Sequence, residues 1–434
     1  MIAAMLSGCT GKKKGSDLAG MLDKGEEETT IEFEEPQIDK PEETDKKIEE
    51  ENDKDEDKDV KPASAPRYCI GDSVEFNCET IHIIDDDGSY AGLSGQLEAL
   101  NDEFLKAAKA TGTKDTVRNI CVRRADDKVF SFVHEYREPM GEMDLVQMRG
   151  YSFYADSGEK IALSDIVTDE DRFYEILSEE LHKNVMENMM IIAGEYNLSV
   201  DAFDAGSAIR QCMSDNRYGW VLDPQGVTFW FENVNDLIHK ASATVLFTTD
   251  KEGRIFNDAF AKDTPDEWIM RIPMSYSSDT YFDCEDDGIL DSIGWYSNSI
   301  MLDGDFVDSG FGVEFNSRYF EASEICPADG MPWTNYSAYL MHKDKKTVLV
   351  AHYYEEVDSV WSSFTLTDDF VKSVDSVLAY PKYENYTDTE IGWLEPRNMS
   401  AIMVYTAQGG DEETGYPDEI LTVETDGSMK ISAM

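Results

Sequence analysis

The sequence predicts an α+β fold, an antiparallel sheet with two packed helices, followed by a second, all-β domain of sandwich or propeller-like type. Three observations predict it. Apolar residues recur at helical spacing in two stretches, one through Leu97, Leu100, Phe104, Leu105 and Ala108, the other through Phe173, Ile176, Leu177, Leu181 and Val185. The segments between them are short, rich in β-branched and aromatic residues, and joined by Asp- and Gly-rich turns, the pattern of antiparallel hairpins and not of parallel crossover units. Beyond about Ala261 the helical period fades and segments rich in Val, Ile, Tyr, Phe and Trp take over.

Residues 1–9 read as a truncated lipoprotein signal, because Leu6-Ser7-Gly8-Cys9 resembles a bacterial lipobox. Cys9 is the expected site of lipidation, which would hold an exported chain to the membrane at the cell surface. Residues 10–66 are Lys, Glu, Asp, Thr and Pro with few aromatics, too little apolar surface to offset the entropy of ordering, and read as a disordered acidic tether.

A first folded domain is expected over residues 67–262. It opens with strands at residues 74–76 and 80–84 and a turn at Asp85-Asp86-Asp87-Gly88. The first helix follows Ser94, then a hairpin in which Ile120 and Val122 face Val129 to Val133 through Asp126-Asp127. An aromatic strand from Tyr151 turns at Asp156-Ser157-Gly158 and leads to the second helix. Thr168 and Asp171 give that helix a capping-box-like start, with acid at the positive end of its dipole. Residues 219–233 read as strand, Asp223-Pro224-Gln225-Gly226 turn and strand, with Val227, Phe229 and Phe231 on one face. The β-rich domain is expected over residues 263–434, with strands at 268–276, 290–296, 311–315, 336–341, 347–354, 360–366, 401–406 and 420–424.

The succession of aromatic strand, Gly158-Glu159 turn, Leu163-Ser164-Asp165-Ile166, long helix and Gly226-Val227-Thr228-Phe229-Trp230-Phe231 resembles the extracytoplasmic domain of RsiV-like proteins, over roughly residues 78–260. That domain forms the outer part of lysozyme-sensing anti-sigma factors and is appended to some peptidoglycan deacetylases. The resemblance therefore implies an envelope-facing binding module, with lysozyme or another cationic envelope-attacking protein as partner. The sensing relatives signal through a membrane helix and a cytoplasmic segment that this sequence does not display, so an anti-sigma function is not expected.

Charge narrows the partners. Thirty-eight basic against ninety acidic residues give a formal −52, which excludes nucleic acid, since phosphate neutralisation needs clustered Lys and Arg. The tether does not account for it: residues 17–60 hold 20 acidic and 6 basic side chains, a net −14. The excess serves solubility or attracts a cationic ligand. Trp220 and Trp230 are the candidate exposed aromatics for the salt-resistant part of such a contact.

Cys69, Cys78, Cys121, Cys212, Cys284 and Cys326 make an even six once Cys9 is set aside. Export makes at least one disulfide an expectation, with Cys69–Cys78 and Cys284–Cys326 the short-range pairs and buried thiols the alternative. None forms the tight CxxC knuckle of structural zinc. Asp283, Glu285, Asp287 and Asp291 set oxygen ligands at alternating positions around Gly288, as calcium loops do, against the reading of an ordinary acidic turn. His134-Glu135 lacks the second histidine of a zinc-protease helix, His82 also lies in a strand and His182 on a polar helix face; no GxSxG elbow is present, so no catalytic residue is assigned. The expected function is a non-enzymatic binding module at the envelope. The alternative is a peptidoglycan- or carbohydrate-directed enzyme or accessory with an unrecognised carboxylate site.

Overall fold

A computed structural model describes residues 65–73, 78–85, 88–111, 117–140, 143–196, 203–235, 238–262, 264–273, 280–302, 305–321, 334–355, 358–367, 370–379, 390–394, 402–404 and 419–433. Cys9, the tether through residue 64, the strand expected at 74–76 and Cys326 lie outside them. The described chain is mixed helix and strand, mostly strand, and nearly all pairing is antiparallel.

The first sheet begins with β1 (Arg67–Ser73), β2 (Cys78–Ile84), β3 (Val117–Ala125), β4 (Val129–Met140) and β5 (Met143–Tyr154). Helix α1 (Ala91–Thr111) links β2 to β3, a parallel pair, and among the described residues the two strands meet in register only at Cys78 and Arg118. Where they part, side chains satisfy the backbone. Asn101 of α1 accepts from Ile81 N at 2.9 Å and donates to Ile81 O at 2.8 Å. Glu79 Oε2 accepts from Ile120 N at 2.5 Å.

Strand alternation gives β3–β5 two buried faces. On one, Ile120, Val122, Phe130, Phe132 and Phe153 pack beneath Leu93, Leu97 and Phe104 of α1. On the other, Cys121, Val133 and Met148 meet Val221 and Trp230. Those two belong to the three-stranded sheet of β6 (Tyr218–Leu222), β7 (Gly226–Glu232) and β8 (Lys240–Leu246). It approaches β5 so closely that a Cβ on Gly150 would lie 1.7 Å from Trp220 O, which is why that position lacks a side chain.

The far face of this small sheet, including Val227, Phe229 and Phe231, buries the apolar stripe of α3 (Glu170–Tyr196), which follows the single turn α2 (Leu163–Ile166). The cap of α3 is Asp169, one residue after the expected Thr168: Asp169 Oδ1 accepts from Arg172 N at 3.1 Å. Thr168 instead donates its hydroxyl to Arg254 O at 2.5 Å, tying the helix start to the loop before α5 (Asp258–Ala261). A further helix, α4 (Ala205–Ser214), caps on Asp204 and adds Ile209 and Cys212 to the same core, so more than the two expected helices pack here.

Beyond these, β9 (Trp268–Ile272) forms the edge of a five-stranded sheet with β14 (Thr334–Lys343), β15 (Lys346–Glu355), β16 (Asp358–Thr367) and β17 (Phe370–Ala379). A four-stranded sheet comprises β10 (Thr280–Phe282), β11 (Asp291–Leu302), β12 (Asp305–Phe315) and β13 (Arg318–Glu321). The last strands, β18 (Glu390–Leu394), β19 (Ile402–Val404), β20 (Glu419–Val423) and β21 (Met429–Ala433), extend the first sheet through β1. The apolar core runs through the position where the sequence predicts a domain boundary: Tyr68, Leu97 and Phe130 share one cluster with Met270, Leu349 and Trp361. Arg271 of β9 donates to both Glu79 oxygens, at 2.7 and 2.8 Å, and to Ile120 O at 2.9 Å, across the same line.

Candidate functional site

A polar cleft opens where α3 passes the four-stranded sheet. Strand register explains its wall. Tyr281 pairs with Ser292 and Gly294 with Glu314, so these side chains share the face opposite Phe282, Ile293, Val313 and Phe315, which are in the core. Asn184 and Glu187, together with Asn188, come from one turn of α3 and complete the lining with Ser317. The cleft encloses about 330 Å³, its open mouth included.

The rim is held by a two-residue turn. Asn316 and Ser317, at φ 48° and 61°, join β12 to β13 in the left-handed backbone such a hairpin needs. Asn316 Oδ1 accepts from Ser292 N at 2.9 Å and its Nδ2 donates to Asp291 Oδ1 at 2.8 Å. Ser317 then donates its hydroxyl to Glu187 Oε1 at 2.8 Å, which fixes the turn against the helix.

Two carboxylates thus share one cleft. Glu314 is exposed by surface area, yet its carboxyl is crowded by the cleft walls; this desolvation is the main cause that raises its proton affinity above the ordinary carboxylate range, and Glu187 adds a smaller part. No Lys or Arg lines the cleft among the described residues.

The residues singled out from sequence lie elsewhere or play other parts. Trp230 is buried, 5% exposed, on the face of β7 that meets β3–β5, with the Arg123 guanidinium 5.8 Å from its ring centre. It is no docking aromatic, because both faces of β7 are covered. Trp220 is half-buried against the core beneath α3.

The acidic loop turns its carboxylates onto its own backbone. Asp283 accepts from Asp287 N and Gly288 N at 3.0 and 2.7 Å, Asp287 from Ile289 N at 2.7 Å, and Asp291 from Cys284 N at 3.0 Å. Glu285 is exposed, and no group of three or more His, Cys, Asp or Glu converges among the described residues. The loop docks on the end of β14–β15: Thr347 donates to Cys284 O at 3.0 Å, and His342, stacked 4.9 Å from Trp268, reaches Asp286 at 3.4 Å.

Cys69, Cys78, Cys121, Cys212 and Cys284 are buried, and no disulfide joins them. The expected Cys69–Cys78 bridge fails on register. Cys69 pairs with His82 and Cys78 with Ser73, so the two lie four ladder positions apart, about 13 Å against the ~7 Å a disulfide spans. Burial pushes the Cys284 thiol up to about 12, with Asp291 adding to it. His134 stacks 3.9 Å from Phe104, and burial, then Arg118, lowers it to about 4.

Sequence reasoning missed the cleft because Asn184, Glu187 and Glu314 have no mutual spacing to read; the Asn316-Ser317 turn was the one local signal nearby. Compared with family models and with curated proteins, the chain matches none.

Proposed function

We propose that this chain is an exported, lipid-anchored, non-enzymatic binding module of the cell envelope whose partner is a cationic protein of the lysozyme type. The supporting observation is where the charge lies. Three buried ion pairs, Arg123 with Asp223, Arg124 with Asp126 and Arg271 with Glu79, each cancel within the core and leave most of the acidic excess outside. Helix α3 displays it: Glu170, Asp171, Glu175, Glu179 and Glu187 are exposed against Arg172 and Lys183. Like charges at i,i+4, as in Asp171, Glu175 and Glu179, cost a helix about 0.2–0.5 kcal/mol per pair, repulsion that a basic partner relieves.

The resemblance of residues 78–260 to RsiV-like domains supports the choice of partner, and Leu6-Ser7-Gly8-Cys9 supports the anchor. Among the described residues no helix is long and apolar enough to cross a membrane. For the β-rich half we infer a sandwich, supported by the core that β14–β16 share with β1–β4. A second reading, a carbohydrate-directed enzyme, draws on the Glu187–Glu314 carboxylate pair; turnover of peptidoglycan fragments that Glu314→Gln abolishes would favour it.

The test is binding of the full chain to lysozyme and to an equally basic unrelated protein at 0.1 and 1 M salt, between which the Debye length falls from about 10 to about 3 Å. Lysozyme binding that survives at high salt supports the proposal. Equal binding of both proteins at low salt and of neither at high salt overturns it, leaving generic electrostatics.

A further inference from the structure

We propose that the cleft beside α3 is a binding site for an alkylammonium group, a primary amine on an aliphatic stem, and that Glu187, Glu314 and Asn184 are the three acceptors for its three N–H donors.

Asn184 supplies the observation that the carboxylates alone do not. Its side chain is buried, 5% exposed, and Nδ2 donates to Ser242 O at 3.0 Å. A carbonyl can only accept, so that bond fixes which end of the amide is nitrogen, and the oxygen is the end left over. Oδ1 has no donor among the described residues, and Asn184 lines the cleft. The amide thus presents a free acceptor to a polar cleft, where a donor from outside can reach it.

The charge of the site calls for a cation as well. Glu187 and Glu314 face one cleft with no Lys or Arg in its lining among the described residues, and the neighbouring Glu187 adds to the raised proton affinity of Glu314. A single positive charge between them relieves both the repulsion and the desolvation. Ser317 already donates to Glu187 Oε1 and so aims the carboxylate before any ligand arrives. The hydroxyls of Tyr281 and Ser292 stand on the opposite wall.

Three acceptors with two negative charges match the geometry of –NH3+, which offers three donors in a cone. A guanidinium would spread five donors in a plane and leave some of them unmet. A calcium ion asks for six to eight oxygens, and no trio of carboxylates converges here. The stem has a place too: Met190, 65% exposed, lies three residues after Glu187 on the same side of α3 and offers apolar surface to methylenes.

This inference does not depend on the lysozyme reading. The same ammonium chemistry belongs to a lysine side chain of a protein and to a free amino alcohol, and the probes separate them. Nα-acetyl-lysine amide, ethanolamine, the neutral isostere Nα-acetyl-norleucine amide and Nα-acetyl-arginine amide are titrated into the full chain by NMR or calorimetry. Expected is weak saturable binding of the lysine analogue, with ethanolamine weaker for want of a stem and the norleucine and arginine analogues at least about tenfold weaker. Glu314→Gln and Glu187→Gln, both at exposed side chains, should each weaken the lysine analogue by about tenfold or more. Glu175→Gln, which removes the same charge from α3 outside the cleft, should change it by less than about twofold. Equal losses in Glu175→Gln and Glu314→Gln, equal binding of the norleucine analogue, or displacement of the amine by millimolar calcium would each overturn the proposal.

Discussion

Replacing Glu79 by Gln tests whether the residues on either side of position 262 fold as one unit. Glu79 is 7% exposed and serves two elements at once: it accepts from the backbone of β3 at Ile120 and takes both ends of the Arg271 fork from β9. Gln keeps the shape but removes the charge, and an amide cannot accept the fork at both ends. Arg271, 5% exposed, would then remain a buried cation without a counter-ion. Removing one partner of such a pair costs about 3–5 kcal/mol, because the other charge is left desolvated. Replacing both partners by apolar residues of like volume removes the buried charge and leaves only the loss of their bonds to Ile120 N and O. Urea denaturation followed by tryptophan fluorescence and by far-UV circular dichroism reads the result. Glu79→Gln should lower stability by about 3–5 kcal/mol in one transition seen alike by both probes, and the double variant Glu79→Leu/Arg271→Met should recover only part of the loss, because Ile120 N and O then lose these partners at about 1–3 kcal/mol each. A loss below about 1 kcal/mol, or two separate transitions of which only one moves, would refute the reasoning.

Two further outcomes follow from the interior. His134 is lowered to about 4, so the unfolded chain takes up its proton first as pH falls. The neutral side chain's contribution is full above about pH 6.5 and is lost toward pH 4, about 3 kcal/mol by then. Urea midpoints between pH 7 and 4 should fall by that much less in His134→Gln, and identical pH profiles would show that His134 is not the group. For the cysteines, the native protein at pH 8 should leave Cys69, Cys78, Cys121, Cys212 and Cys284 unmodified by a thiol reagent over minutes, while urea exposes all five; rapid native labelling of Cys121 or Cys284 would contradict their burial.

The sequence by itself determined what local physics determines. Helical spacing marked α1 and α3, the Asp223-Pro224-Gln225-Gly226 turn marked the β6–β7 hairpin, and composition marked an acidic chain of mostly antiparallel strands. Each rests on neighbours within about ten residues, where periodicity and turn chemistry act. Tertiary structure decided the rest. Alternation put Trp230 on one definite face of β7, but only the packing of that face against β3–β5 made it a core residue. Four carboxylates at alternating positions look like a metal loop until three of them are seen capping backbone N–H groups. Cys69 and Cys78 are near in sequence, yet ladder register holds them too far apart to bridge. The cleft joins Asn184 and Glu187 to Glu314 across more than a hundred residues, and the core joins Tyr68 to Met270. Nothing local encodes such meetings, because they follow from which apolar faces bury one another, and that is settled only when the whole chain has folded.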